Sequence, residues 1–195
     1  MQWLVGLVGF SLVSAGTPGP NNVLLWASGA TFGFRRTLPH VLGTALGIGA
    51  MTLAVAAGVG LLVTSIPGLT FLMKLVGSAY LLLLAYRIAK GGSTDGMTVA
   101  HPMSIVEASA FQALNPKGWI FAFGAVTTFR PDEIPAIAGS LAVAATMMVV
   151  ILPCAAAWAV AGGAMSRLMS GERGGRAVRL ILGGLVAVSV VAVWF

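Results

Sequence analysis

Residues 16 to 22, Gly16-Thr17-Pro18-Gly19-Pro20-Asn21-Asn22, interrupt a stretch that carries no charged side chain before Arg35. Two prolines two residues apart remove backbone donors and forbid a continuous helix. Apolar sequence nevertheless flanks the interruption on both sides, from Trp3 to Val13 and from Val23 to Phe34. The pattern predicts a helix broken inside a membrane. Lipid offers no hydrogen bonds to freed backbone groups, so non-helical chain at that depth survives only where it is buried in protein or lines a wet cavity. The interruption is therefore a candidate substrate site.

Composition supports the bilayer as solvent. Of 195 residues, 58% are hydrophobic and 8% are charged, where a soluble globular domain has about 25% charged residues. The formal charge of +6 does not indicate a nucleic-acid partner. The basic residues sit between apolar segments and form no face interleaved with aromatics, so orientation in a membrane accounts for them. The one cysteine, Cys154, lies within an apolar segment and has no internal partner for a disulfide. No basic segment precedes the first apolar run, and apolar sequence resumes after Asn22, so this run is expected to be a retained helix rather than a cleaved signal.

A crossing helix needs roughly 20 predominantly apolar residues. Six stretches qualify: about 2 to 31 (broken at 17 to 21), 40 to 64, 69 to 88, 105 to 129 (interrupted at 115 to 117), 135 to 163 and 177 to 195. The expectation is an all-α, polytopic, multi-pass membrane protein forming one transmembrane domain over 1–195. If the segment after the first span is cytoplasmic, the inner side holds Arg35, Arg36, Arg87, Lys90, Arg167, Arg173, Arg176 and Arg179, and the outer side only Arg130. That bias places both termini on the outer side.

Six spans divide into two sets of three, and an odd number per set makes the second set an inverted copy of the first. The expected units are repeat one at about 1–90, a cytoplasmic loop at about 91–104 and repeat two at about 105–195. A shift of 98 positions lays Pro18 on Pro116 and residues 40–64 on 138–162, though the third spans fit it poorly and little identity supports it. Helices one and four are thus both broken at Pro motifs. Gly43 and Gly47, with Ala45 and Gly49 alongside, strip one face of span two for close helix contact. Gly162-Gly163 and Gly183-Gly184 read the same way, and Pro153 is either a kink or a hinge.

Few residues could carry chemistry. The amides of Asn21 and Asn22 and the backbone donors of the restarted helix converge after the double proline, where a helix N-terminus attracts anions. Uncovered carbonyls on the other side of the break suit an ammonium group. Together they describe a zwitterionic amino acid. The plainer reading makes Asn21 the cap of the restarted helix. Lys117 lies deep in span four beside the second break, with about a dozen apolar residues before Arg130, so reaching water would require a cavity. Gln112 either lines that cavity or bonds a neighbouring helix. Thr17 either meets substrate or satisfies a freed carbonyl. Glu107, the only carboxylate inside a predicted span, is either a proton carrier or a helix-start carboxylate. Lys74 lies about one turn into span three and can snorkel outward. His40 and His101 flank spans two and four, and no cluster has metal-ligand spacing, so neither a metal nor another cofactor is expected.

A family resemblance rests on these same residues. Residues 16–49, G-T-P-G-P-N-N-V-L-L-W-A-S-G-A-T-F-G-F-R-R-T-L-P-H-V-L-G-T-A-L-G-I-G, resemble the signature region of the lysine exporter (LysE/RhtB) family of amino-acid efflux transporters. The likeness extends to G-S-A-Y-L-L-L-L-A-Y-R at 77–87 and to F-Q-A-L-N-P-K-G-W at 111–119, similar to the family's N-P-K motif. It implies a bacterial inner-membrane carrier that exports amino acids or close derivatives on the proton gradient. Its motif positions fall on Pro18, Gly19, Pro20, Asn21, Asn22, Asn115, Pro116 and Lys117.

The chain thus reads as a secondary transporter and not an enzyme, with an amino acid, protons and lipid as partners and assembly into homo-oligomers left open. The alternative is an ion or metal carrier of similar architecture, although such a carrier would place acidic, His or Cys residues mid-span. A thiol-redox conduit needs a cysteine pair, and a hydrolase would have to join Ser78 to His40, far apart in sequence.

Overall fold

The structure is a computed structural model that describes residues 2–59, 66, 68–90, 101–168 and 172–191. The predicted loop residues 91–100 and the ends of span two (60–64) and span six (192–195) lie outside these. Regular structure among the described residues is entirely helical: α1 (Gln2–Gly16), α2 (Pro20–Phe32), α3 (Phe34–Ala56), α4 (Leu69–Lys90), α5 (Ile105–Ala113), α6 (Pro116–Phe129), α7 (Ala136–Leu168) and α8 (Glu172–Ser189). Among them Phe34–Ala56 and Ala136–Arg167 are, by themselves, long and apolar enough to cross a membrane.

Both expected breaks are present, and both are shorter than the sequence suggests. The first covers residues 17–19, with Pro20 already the first helical residue of α2. The second covers Leu114 and Asn115, with Pro116 opening α6. A proline loses little at that position, because the first turn has no intrahelical acceptor for its missing N–H and the ring presets a helical φ. The second proline of the first motif is thus a helix start, and only Pro18 lies in the non-helical link.

The second span begins earlier than predicted. A single residue, Gly33, joins α2 to α3, with φ 78° and ψ 161°, a backbone conformation that side chains disfavour. The Gly33 N–H donates to the Gly29 carbonyl at 3.0 Å, and its own carbonyl accepts from the Thr37 hydroxyl at 3.0 Å. Arg35 and Arg36 are consequently helical, and His40 is a buried interior residue of α3 and not a flanking one.

The outer faces of the long helices are apolar, and several polar side chains are turned inward. On α3, Thr37, His40, Thr44 and Thr52 are buried while Leu38, Leu42, Leu46 and Leu53 are exposed. On α7, Ile137, Leu141, Val149 and Val160 face outward. An exposed apolar shell, with buried polar side chains bonded inside the protein, is how a helical membrane protein meets lipid.

The helices are drawn together by glycine. A Cβ at Gly29 of α2 would overlap the Ala159 carbonyl of α7, and one at Gly162 of α7 would overlap the Trp26 carbonyl of α2. Gly43 and Gly47 of α3 lie against Ile105, Ala108 and Ser109 of α5, as the spacing in span two predicts for close contact. Gly183 of α8 meets Ala85 and Ala89 of α4. As a result α7 lies along both α1 and α2, α3 lies along both α5 and α6, α3 and α7 cross one another, and α4 pairs with α8. Helix α7 runs on through Pro153. An apolar cluster of Leu7, Ile48, Met51, Ala122, Val143 and Met147 closes the centre from one side, and Leu25, Val41, Ala155 and Ala159 form another cluster nearby.

Gly29→Ala or Gly162→Ala is expected to lower the melting temperature in detergent, with overpacking costing ~1–3 kcal/mol or more. Gly9→Ala, where an added Cβ meets nothing within 4 Å, is expected not to lower it.

Candidate functional site

The ends of α1, α2 and α6 meet where the two breaks come together. A helix leaves its last carbonyls and its first N–H groups without intrahelical partners, and in an apolar surround each needs another. At and just beyond the end of α1, three carbonyls find side-chain donors. The Ser14 carbonyl accepts from the Thr17 hydroxyl at 3.1 Å. The Ala15 carbonyl accepts from the Asn22 amide at 2.7 Å and from the Trp158 indole of α7 at 3.1 Å. The Thr17 carbonyl accepts from the same Asn22 amide at 2.9 Å.

Lys117 completes the set from the other break. Its ammonium donates to the Thr17 carbonyl and hydroxyl, both at 2.9 Å, and to the Pro18 carbonyl at 3.3 Å. It also stands 5.5 Å from the centre of the Phe121 ring, within cation–π reach. Gly19 leaves room for this crossing, since a Cβ there would sit 3.0 Å from the Lys117 Cδ.

A chain of side-chain amides lies deeper. The Asn21 Oδ1 accepts from Gln112 Nε2 at 2.7 Å and from the Thr44 hydroxyl at 3.3 Å. Gln112 Oε1 in turn accepts from Asn115 Nδ2 at 3.1 Å. Helices α2, α3, α5 and the start of α6 are thereby tied through one buried polar path. Asn115 Oδ1 is buried and has no hydrogen-bond partner. Such an acceptor is costly to leave unpaired.

Asn21 does not cap α2. The N-cap is Gly19, extended at φ −176°, with no side-chain cap, and Asn21 lies within the first turn with its amide turned to Gln112 and Thr44. Asn115 holds the N-cap position of α6, yet its side chain bonds Gln112 and not the first turn. Both restarted helices therefore present first-turn N–H groups without a side-chain cap.

A cavity of about 50 Å³ occupies this junction, enough room for several waters. Of the predicted residues, Gly19, Pro20, Asn21, Asn22, Gln112, Asn115 and Lys117 line it. Thr17 and Pro18 do not line it but bond Lys117, which does, and Pro116 is buried as the first residue of α6. Gln112 both lines the cavity and bonds a neighbouring helix. Sequence reasoning missed Ser14, Thr44, Phe121 and Met147, which also line the cavity. Thr44 had a signal, as the one hydroxyl within the glycine-lined face of span two.

Glu107 is elsewhere. It is exposed in the first turn of α5, where its carboxylate accepts from the Ser104 N–H at 2.8 Å and its own N–H donates to the Ser104 hydroxyl at 3.2 Å. This reciprocal pair is a capping box. His40, one turn before Thr44 on α3, is buried with neither ring nitrogen bonded.

The sequence model of the family described as LysE type translocator matches residues 12–194. The chain belongs to that family. As a LysE type translocator, it is similar to the cysteine/O-acetylserine efflux protein of Escherichia coli (strain K12), 27% identical over 187 residues that cover 95% of this chain and 94% of the relative. The like-named proteins of Shigella sonnei (strain Ss046) and Escherichia coli O6:K15:H31 (strain 536 / UPEC) show the same identity over the same shares. No solved structure matches.

Asn21→Ala is expected to destabilise the protein by ~1–3 kcal/mol, read as thermal unfolding in detergent, because Gln112 Nε2 loses its acceptor inside the protein. Ser104→Ala should cost about 1 kcal/mol and Glu107→Gln at most a few tenths of that, since glutamine also completes a capping box.

Proposed function

We propose that this LysE-family protein exports small amino acids or their close derivatives, holding the zwitterion in the cavity between the two breaks. The carrying observation is that one cavity is bordered by the carbonyl end of α1 and by the N-terminal ends of α2 and α6. Helix termini carry partial charges, negative at the carbonyl end and positive at the amide end. A carboxylate matches the uncapped N–H groups at Asn21, Asn22 and Lys117. An ammonium matches the carbonyls of the first break and the side-chain oxygens of Asn21 and Asn115, of which Asn115 Oδ1 lacks a donor.

A metal or other bare cation suits this place poorly. The lining residues include the Lys117 ammonium and no carboxylate. The relatives' names, cysteine and O-acetylserine efflux proteins, support small, uncharged side chains as cargo.

The rest of the scheme extends the same reading. Six spans in one domain form two inverted repeats, and the halves rock about the cavity to open it to either side in turn. The contacts support this in outline: exchanging α1–α2 and α3 for α5–α6 and α7 maps the packing of α3 on α5 and α6 onto that of α7 on α1 and α2, although the contact of α1 with α6 has no comparable counterpart. The protein lies in the bacterial inner membrane with both termini outside, and the proton gradient drives export. Glu107 is assigned to capping α5 and not to carrying the proton, because it is exposed and outside the cavity.

Reconstituted protein challenged with labelled amino acids and divalent metal ions, with and without a proton gradient, tests this. Gradient-stimulated movement of L-cysteine or O-acetyl-L-serine is expected. Transport of metal alone would sink the proposal. Glu107→Gln is expected to retain export that an uncoupler abolishes; loss of that sensitivity would return the coupling role to Glu107.

A further inference from the structure

We infer that the Lys117 ammonium is a tethered stand-in for the substrate's own ammonium, filling the oxygen-lined subsite of the first break whenever the carrier is empty. The inference rests on the amino-acid export reading and adds to it an occupant of the unloaded site.

Three features of the geometry carry it. An ammonium has three protons, and Lys117 Nζ has three oxygens within reach, the Thr17 carbonyl, the Thr17 hydroxyl and the Pro18 carbonyl, at 2.9, 2.9 and 3.3 Å. This is the coordination that the α-ammonium of an amino acid would seek there. Next, Lys117 lies in the first turn of α6, the positive end of its own helix, where a cation is disfavoured. Its side chain crosses instead to the negative end of α1, so the attraction lies with the other half of the protein. Finally, all of its hydrogen-bond acceptors are neutral. An incoming ammonium can therefore displace Lys117 without breaking an ion pair, and the exchange of one ammonium for another is nearly even.

The consequence is a division of labour over the transport cycle. With substrate bound, the Thr17 and Pro18 oxygens are satisfied by the cargo and Lys117 swings into the wet cavity. After release, Lys117 refills the subsite, so the empty carrier returns across the membrane with an ammonium still bonded to the Pro18 carbonyl and the two Thr17 oxygens. Net export needs that empty return; exchange of one amino acid for another does not.

Proteoliposomes containing the full chain separate the two. In Lys117→Ala and in Lys117→Met, net efflux of labelled L-cysteine or O-acetyl-L-serine should fall roughly tenfold or more, the scale of losing bonds to a charged donor. Exchange with the same unlabelled amino acid on both sides should fall several-fold less than net efflux does, and the half-saturating concentration for exchange should fall because the internal competitor is gone. Methylammonium should restore net efflux to Lys117→Ala. Equal loss of exchange and efflux in inserted protein, or no loss of either, would overturn the inference. Should neither variant insert, the chain's three lysines allow the wild type to be labelled with ¹⁵N-lysine. The Lys117 side-chain signal should then shift on adding the amino acid, and an unmoved signal overturns the inference. A wild-type protein that exchanges neither amino acid defeats the export reading itself and is recognised by that control.

Discussion

An unpaired carbonyl in an apolar surround is too costly to keep, and the end of α1 has several at once. Everything at the centre of the structure answers that demand. Thr17 folds back on Ser14, Asn22 reaches back from the next helix to Ala15 and Thr17, Trp158 comes from α7, and Lys117 comes from α6. Donors from distant parts of the sequence are recruited to one helix terminus. The same arrangement leaves the amide ends of α2 and α6 without side-chain caps, so opposite partial charges border a single wet space.

Glycine makes that convergence reachable. Polar side chains can bridge helices only when backbones approach closely, and Gly43 and Gly47 let α3 settle on α5, so that Thr44 joins Gln112 in bonding the Asn21 amide. On the opposite side Gly29 and Gly162 bring α2 and α7 backbone to backbone, and the Trp158 indole thereby reaches the Ala15 carbonyl. Close approach outside and polar pairing inside are two aspects of one packing solution. Leucines at the periphery take no part in it, which leaves them free to face lipid.

Much of this was legible in the residues themselves, for definite reasons. Prolines at 18, 20 and 116, set beside Gly19 and Asn115, marked both breaks to within a few residues, whereas the single prolines at 39 and 153 are carried inside α3 and α7. Lys117 stands out because a cation among a dozen apolar neighbours needs a cavity, and the cavity is there. What could not be read is whatever depends on partners far along the chain. Nothing local tells Asn21 to prefer Gln112, 91 residues away, over capping its own helix. Ser104 stands three residues before Glu107, a spacing that spells a capping box in the sequence itself; that signal went unused, and the reciprocal hydrogen bonds of the two residues make it plain. The start of α3 was missed because Arg35, Arg36 and Pro39 look like loop, whereas one glycine suffices to turn the chain.

That glycine has a mechanical implication. Helices α2 and α3 meet through Gly33 alone, and the Ser28 and Thr37 hydroxyls, 3.1 Å apart, brace the joint from within. A link of one residue has no slack to absorb displacement. The end of α2 cannot be displaced without carrying the start of α3 with it, and the hydrogen bond between Asn21 on one arm and Thr44 on the other ties the pair again at the cavity.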